Sequence, residues 1–107
     1  MSKVELLKSY INKVRARAKR HGLNPDKIKI SNRAGKKFVY EDEESGRKIH
    51  FGSLENKDYH QYKLEKNNPE EHRRKYRARH GVIRVTGGKL AHEIRLSPAW
   101  MSWNLLW

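Results

Sequence analysis

Two short arms of alternating apolar residues, 36–40 and 47–52, flank the polar step Glu43-Glu44-Ser45-Gly46, and this arrangement restricts the fold more than any other stretch. Phe38 and Tyr40 alternate with Lys37, Val39 and Glu41, while Ile49 and Phe51 alternate with Lys48 and His50. A period of two sends successive side chains to opposite faces of a strand, so each arm has one face to bury. Gly46 falls where a tight reversal needs a residue that tolerates positive φ. The stretch predicts a β-hairpin. Lys27-Ile28-Lys29-Ile30 alternates in the same way and is expected to add a strand beside it, so that strand and hairpin occupy residues 27–52.

Helical periodicity brackets this sheet. Residues 1–22 predict a basic amphipathic helix: Ser2 and Glu5 form a capping box, Val4, Leu7, Ile11, Val14 and Ala18 fall on one stripe, and Gly22 supplies the stop. Its other surface carries Lys3, Lys8, Lys13, Arg15, Arg17, Lys19 and Arg20. Residues 68–81 predict a second basic helix, with Asn68 as N-cap, Pro69 in the first position and Glu70-Glu71 in the first turn. Glu70 with Arg74 and Glu71 with Lys75 have the i, i+4 spacing of favourable ion pairs. His72, Tyr76 and His80 share one face, and Arg73, Lys75, Arg77 and Arg79 cover most of the rest. With almost no aliphatic stripe, this helix has to pack through Tyr76, Ala78 and its arginine stems.

The remaining segments are less patterned. Residues 53–67 form a polar connector containing Asp58-Tyr59-His60 and Tyr62. Val82-Ile83-Arg84-Val85 is a short strand candidate, followed by the glycine turn Thr86-Gly87-Gly88-Lys89. In residues 97–107, Ser97-Pro98 starts a final helical turn, and Trp100, Trp103 and Trp107 fall at i, i+3 and i+7. The expectation is a Trp-rich tail that folds back to complete a thin core. The alternative uses the same three tryptophans as a docking anchor for a partner.

These elements amount to one small α+β domain over residues 1–107. Charge is the main functional constraint: 25 Lys and Arg against 12 Asp and Glu give +13, a self-repulsion that an acidic partner relieves. Residues 3–37 hold 12 basic residues and only Glu5 and Asp26 as acids, a local excess of 10. The acids Glu41-Asp42-Glu43-Glu44 sit on the hairpin tip, where nothing fixes their geometry for catalysis. There is no cysteine, hence no disulfide or thiolate metal site. The six histidines lack zinc-ligand spacing; His72 and His80 lie about 12 Å apart along a helix at ~1.5 Å per residue. No metal or other cofactor is expected. No signal peptide or membrane span is apparent, so the expectation is a protein that is not secreted and has no membrane partner.

The order Lys-Lys-Phe-Val-Tyr (36–40), Lys-Ile-His-Phe-Gly (48–52), Asp58-Tyr59, Glu-His-Arg-Arg-Lys-Tyr-Arg-Ala-Arg-His (71–80) and Ser-Trp-Asn-Leu-Leu-Trp (102–107) resembles a family of small basic proteins of large and giant DNA viruses. The resemblance implies a viral protein and a virion component, located in the particle or inside the host cell, and supplies no catalytic residue.

Taken together, the sequence points to a non-enzymatic nucleic-acid binder, with DNA preferred to RNA and little sequence preference, because phosphate contacts carry no base information. The contacting residues are expected to be Arg15, Arg17, Lys19, Arg20, Lys36, Lys37, Arg73, Arg74, Arg77, Arg79 and His80. One alternative is a minor capsid or scaffold protein that docks on an acidic virion protein through Trp100, Trp103 and Trp107. The other is a metal nuclease using His50, His72 or His80 with Glu71.

Overall fold

The computed structural model describes residues 2–107. Its elements in chain order are α1 (Lys3–Arg20), β1 (Ile28–Ile30), β2 (Lys36–Glu41), β3 (Lys48–Ser53), α2 (Tyr59–Leu64), α3 (Pro69–His80) and α4 (Pro98–Met101). A wider π-helical turn over Ser102–Leu106 continues α4, and single 3-10 turns occupy Pro25–Lys27 and Ala91–Glu93. The class is α+β, with the basic helix first and the Trp-rich segment last.

The three strands form one antiparallel sheet in the order β1-β2-β3. Its register places Phe38 opposite Phe51, and Tyr40 between Ile28 and Ile49. All five of these side chains are buried, as the alternation requires. Gly46, at φ +73°, makes the reversal between the long strands.

Against the sheet lies α1, started by Ser2 Oγ accepting from the Glu5 amide at 3.1 Å. Its core stripe is Leu7, Tyr10, Ile11, Val14 and Ala18. Val4, expected on that stripe, is 48% exposed because it lies one turn before the packed layer begins. Tyr10 takes a central place instead, meeting Phe38 edge-on with ring centroids 5.7 Å apart.

The C-terminal segment closes the core. Ser97 Oγ accepts from the Trp100 amide at 3.1 Å, and Trp100, Met101, Leu105, Leu106 and Trp107 are buried. Each such side chain contributes about 1.5–3 kcal/mol of burial. The tail folds back as expected: with a sheet this small, the indoles of Trp100 and Trp107 are needed inside, and Trp103, partly buried, packs against the same core. The second basic helix, α3, attaches through the expected residue, Tyr76, which stacks on Trp107 with centroids 4.4 Å apart and planes 8° from parallel.

Four local expectations change. The polar connector holds a helix, α2, started by a full capping box: Asp58 Oδ1 accepts from the Gln61 amide at 3.0 Å and Gln61 Oε1 accepts from the Asp58 amide at 3.2 Å. Asn68 makes no side-chain cap, because the tight link from α2 to α3 forces it to φ 45°, a left-handed conformation that Asn tolerates better than most residues. The ion pairs of α3 span three residues, Glu70–Arg73 and Glu71–Arg74, not four; the guanidinium fork of Arg74 closes two bonds on Glu71, at 2.6 and 3.1 Å. Residues 82–85 make only an isolated antiparallel bridge, Arg84 to Leu90, with Val82 72% exposed, since no strand edge lies alongside.

Lys37 is the largest departure. Expected among the residues that contact nucleic acid, it is 2% exposed, with its ammonium 2.9 Å from Asp58 Oδ2. It also donates to Gln61 Oε1 at 2.6 Å and to the Asn56 carbonyl at 2.7 Å. The Tyr10 hydroxyl donates to the same carboxylate oxygen at 2.8 Å. A buried cation is tolerated only with such complete partnering.

Candidate nucleic-acid interface

The Tyr59 ring, at the start of α2, brings the two basic helices together. Arg73 of α3 places its guanidinium carbon 3.7 Å from the ring centroid and Arg17 of α1 places its own at 5.2 Å. The Tyr59 hydroxyl donates to Glu70 Oε1 at 2.7 Å, which fixes the ring against α3. That bond raises the Tyr59 pKa and lowers that of Glu70.

Arg17 registers the crowding of positive charge. Burial, followed by the guanidinium groups of Arg73 and Arg20 and then Arg77, lowers its pKa to about 10. It stays charged at neutral pH, but at a cost that a bound anion would remove. Arg77 lies over Trp103 at 5.2 Å and Arg95 over Trp100 at 5.1 Å. Arg95 also donates to the His21 carbonyl at the end of α1, at 3.1 Å. Burial and then Arg20, Arg95 and Arg17 lower the pKa of His21, which ties Arg95 to the same field. Four guanidinium groups of the cluster, those of Arg17, Arg73, Arg77 and Arg95, thus rest on aromatic rings, which hold the side chains without cancelling their charge.

Among the described residues the ion pairs are Lys37–Asp58, Lys57–Glu65, Arg73–Glu70 and Arg74–Glu71. Arg17, Arg20, Arg77 and Arg95 have no carboxylate partner among these pairs. The other expected contact residues separate by environment. Arg15 closes two bonds on the Ile28 carbonyl, at 2.9 and 3.2 Å, and so joins α1 to the sheet. Lys37 is buried and neutralised, so it is withdrawn from the contact set. Arg73 belongs to the cluster but also holds Glu70 and donates to the Trp107 carbonyl at 2.7 Å. Arg74 is paired with Glu71, and Lys19 is exposed on α1 with no contact tying it to the cluster.

Lys36, Arg79 and His80 line a different surface, a cleft of about 620 Å³ beside the next face of α3. His72 and His92 line it as well, and each of its three imidazoles stacks on an aromatic ring: His72 on Tyr62 at 3.6 Å, His80 on Tyr76 at 4.2 Å and His92 on Trp103 at 3.8 Å. His50 is elsewhere, buried on β3 with Nδ1 2.7 Å from Ser31 Oγ, and Glu71 is held by Arg74. The His50, His72, His80 and Glu71 set is not assembled. Among the described residues no group of His, Cys, Asp and Glu has the geometry of a metal site.

No protein-family model, curated protein or solved structure matches the chain. No helix among the described residues is long and apolar enough to cross a membrane. Sequence reasoning missed Tyr59, Arg95 and His92 as parts of these surfaces. Tyr59 carried a signal, the Asp58–Gln61 capping spacing, whereas Arg95 and His92 lie in a segment without periodicity.

Proposed function

We propose that the protein is a non-enzymatic nucleic-acid binder whose contact surface is the guanidinium cluster of Arg17, Arg20, Arg73 and Arg77, extended by Arg95. The observation that carries this reading is the convergence of α1 and α3 on Tyr59, whose ring meets the guanidinium groups of both Arg17 and Arg73, with only Arg73 of the cluster in an ion pair. A duplex presents closely spaced phosphates, and planar, permanently charged forks suit them. Contacts to phosphate carry no base information, so binding through such contacts has little sequence preference, with DNA as the expected partner. The motif resemblance and the +13 charge support a role in organising a viral genome within the particle.

The test is binding to labelled DNA and RNA duplexes of unrelated sequence across a salt series. Affinity is expected to fall by orders of magnitude between about 50 and about 200 mM salt if several phosphates are contacted. The double variant Arg17→Ala/Arg77→Ala should reduce the slope of log affinity against log salt by about 2, roughly one per lost contact. Salt-insensitive binding, or an unchanged slope in that variant, would overturn the reading.

A further inference from the structure

The cleft beside α3 is chemically unlike the cluster, and nothing in the reading above uses it. Lys36 of β2 and Lys75 and Arg79 of α3 line it, with the imidazoles of His72, His80 and His92. Among the described residues none of these six side chains has a hydrogen-bond or ion-pair partner in the protein. The sole acidic side chain in the lining is that of Asp58, already taken by Lys37 and Tyr10. Lys57, which also lines the cleft, is paired with Glu65 at 2.5 Å. Three cations and three imidazoles without hydrogen-bond or ion-pair partners therefore face a recess whose lining includes Tyr62, Tyr76 and Trp107.

We propose that this cleft binds a phosphate monoester, as in a mononucleotide or the 5′-phosphorylated end of a strand. The charge argument favours a dianion: a monoester carries about 1.5–2 negative charges at pH 7, against roughly one for each diester along a strand. Shape favours an end group as well, since a recess admits a terminus more readily than the middle of a strand. Lys75 and Arg79 supply charge, the fork of Arg79 suits two phosphate oxygens, and the imidazoles donate N–H groups to the remainder. The stacked rings hold those imidazoles in place, which reduces the ordering cost on binding.

Calorimetry of the whole chain with a nucleoside 5′-monophosphate, the matching nucleoside, and a short oligonucleotide bearing either a 5′-phosphate or a 5′-hydroxyl tests this. The phosphorylated member of each pair is expected to bind about tenfold tighter or better, the scale of one or two charge-assisted hydrogen bonds. A preference confined to the mononucleotide identifies a free nucleotide as the ligand; a preference confined to the oligonucleotide identifies a strand end. Lys75→Ala/Arg79→Ala, at two exposed positions, should erase the preference while leaving salt-sensitive binding of the 5′-hydroxyl strand. Arg17→Ala/Arg77→Ala should do the reverse, so failure here is separable from failure of the cluster. Equal binding of phosphorylated and unphosphorylated members of both pairs, or a preference that survives Lys75→Ala/Arg79→Ala in a folded variant, overturns the proposal.

Discussion

Lys37 and Arg17 enter the sequence as members of one basic block, and the fold treats them in opposite ways. The ammonium of Lys37 has three partners, Asp58, Gln61 and the Asn56 carbonyl, which together take all its donors. The guanidinium of Arg17 rests on the Tyr59 ring with other guanidinium groups around it and no carboxylate within ion-pair distance. Both are drawn out of water, so burial alone does not decide which cation remains available to a partner. A carboxylate cancels the field and makes the cation structural. An aromatic face leaves the field in place and merely fixes the stem.

The contrast is easiest to break at the buried pair. Lys37→Ala leaves the Asp58 carboxylate enclosed without its cation, and loss of one partner from such a pair costs about 3–5 kcal/mol, a large share of the stability of a domain this size. Urea unfolding measures it, and a loss below about 1 kcal/mol would mean that Lys37 is no more structural than a surface lysine. His60 sharpens the comparison as a third group able to carry positive charge. It is 3% exposed, and its Nε2–H donates to the Leu105 carbonyl at 2.8 Å. Burial lowers its pKa to about 4, helped by Arg17 and Lys13 and opposed by the Leu105 bond and Asp58. The unfolded chain, with an ordinary imidazole, therefore binds the proton first on acidification. Stability is unaffected by this group above about pH 6.5 and declines from there to about pH 4, by roughly 3 kcal/mol. His60→Gln should flatten that segment of the stability profile; a profile as steep as the native one would assign the acid sensitivity elsewhere.

The sequence carried those parts of the fold whose cause is local. The hairpin follows from Phe38, Tyr40, Ile49 and Phe51 at a period of two, and α1 follows from its cap and stripe. The fate of Lys37 depends on Asp58, 21 residues away, and on the rim formed when α2 docks; nothing in the neighbourhood of Lys37 distinguishes it from Lys36. Arg95 reaches the end of α1 across 74 residues. The candidate surface was legible as a list of arginines on two helices, but not as a surface, since the ring that joins them belongs to a segment whose helical start was overlooked. Tail burial was the readable half of the tryptophan pattern, because a core with so few aliphatic residues needs the indoles.

A smaller effect tests how tightly the region around Lys37 is built. Gly52 has φ +82°, and a Cβ there would stand 2.8 Å from Leu106 Cδ1 and 3.2 Å from Lys37 Cβ. The Leu106 methyl can turn aside, while the backbone conformation and the Lys37 stem cannot, so Gly52→Ala is expected to cost about 1–2 kcal/mol. A neutral result would show that Lys37 has room to move and that its enclosure is loose.

The smallest stability change is expected at Arg17, and it is the most discriminating. Arg17→Ala removes a ring contact but also relieves repulsion from Arg73, Arg20 and Arg77, so unfolding free energy should move by less than about 1 kcal/mol. Nucleic-acid affinity should nevertheless fall, with the salt slope reduced by about 0.9 for one lost phosphate contact. Arg17→Lys separates the two contributions: it keeps the charge and hence the slope, while the point-like ammonium loses the planar contact with Tyr59 and some affinity at every salt concentration. If Arg17→Ala unfolded as readily as Lys37→Ala while leaving the slope intact, the guanidinium would be a structural strut, and the distinction between cancelled and uncancelled cations would lose its basis.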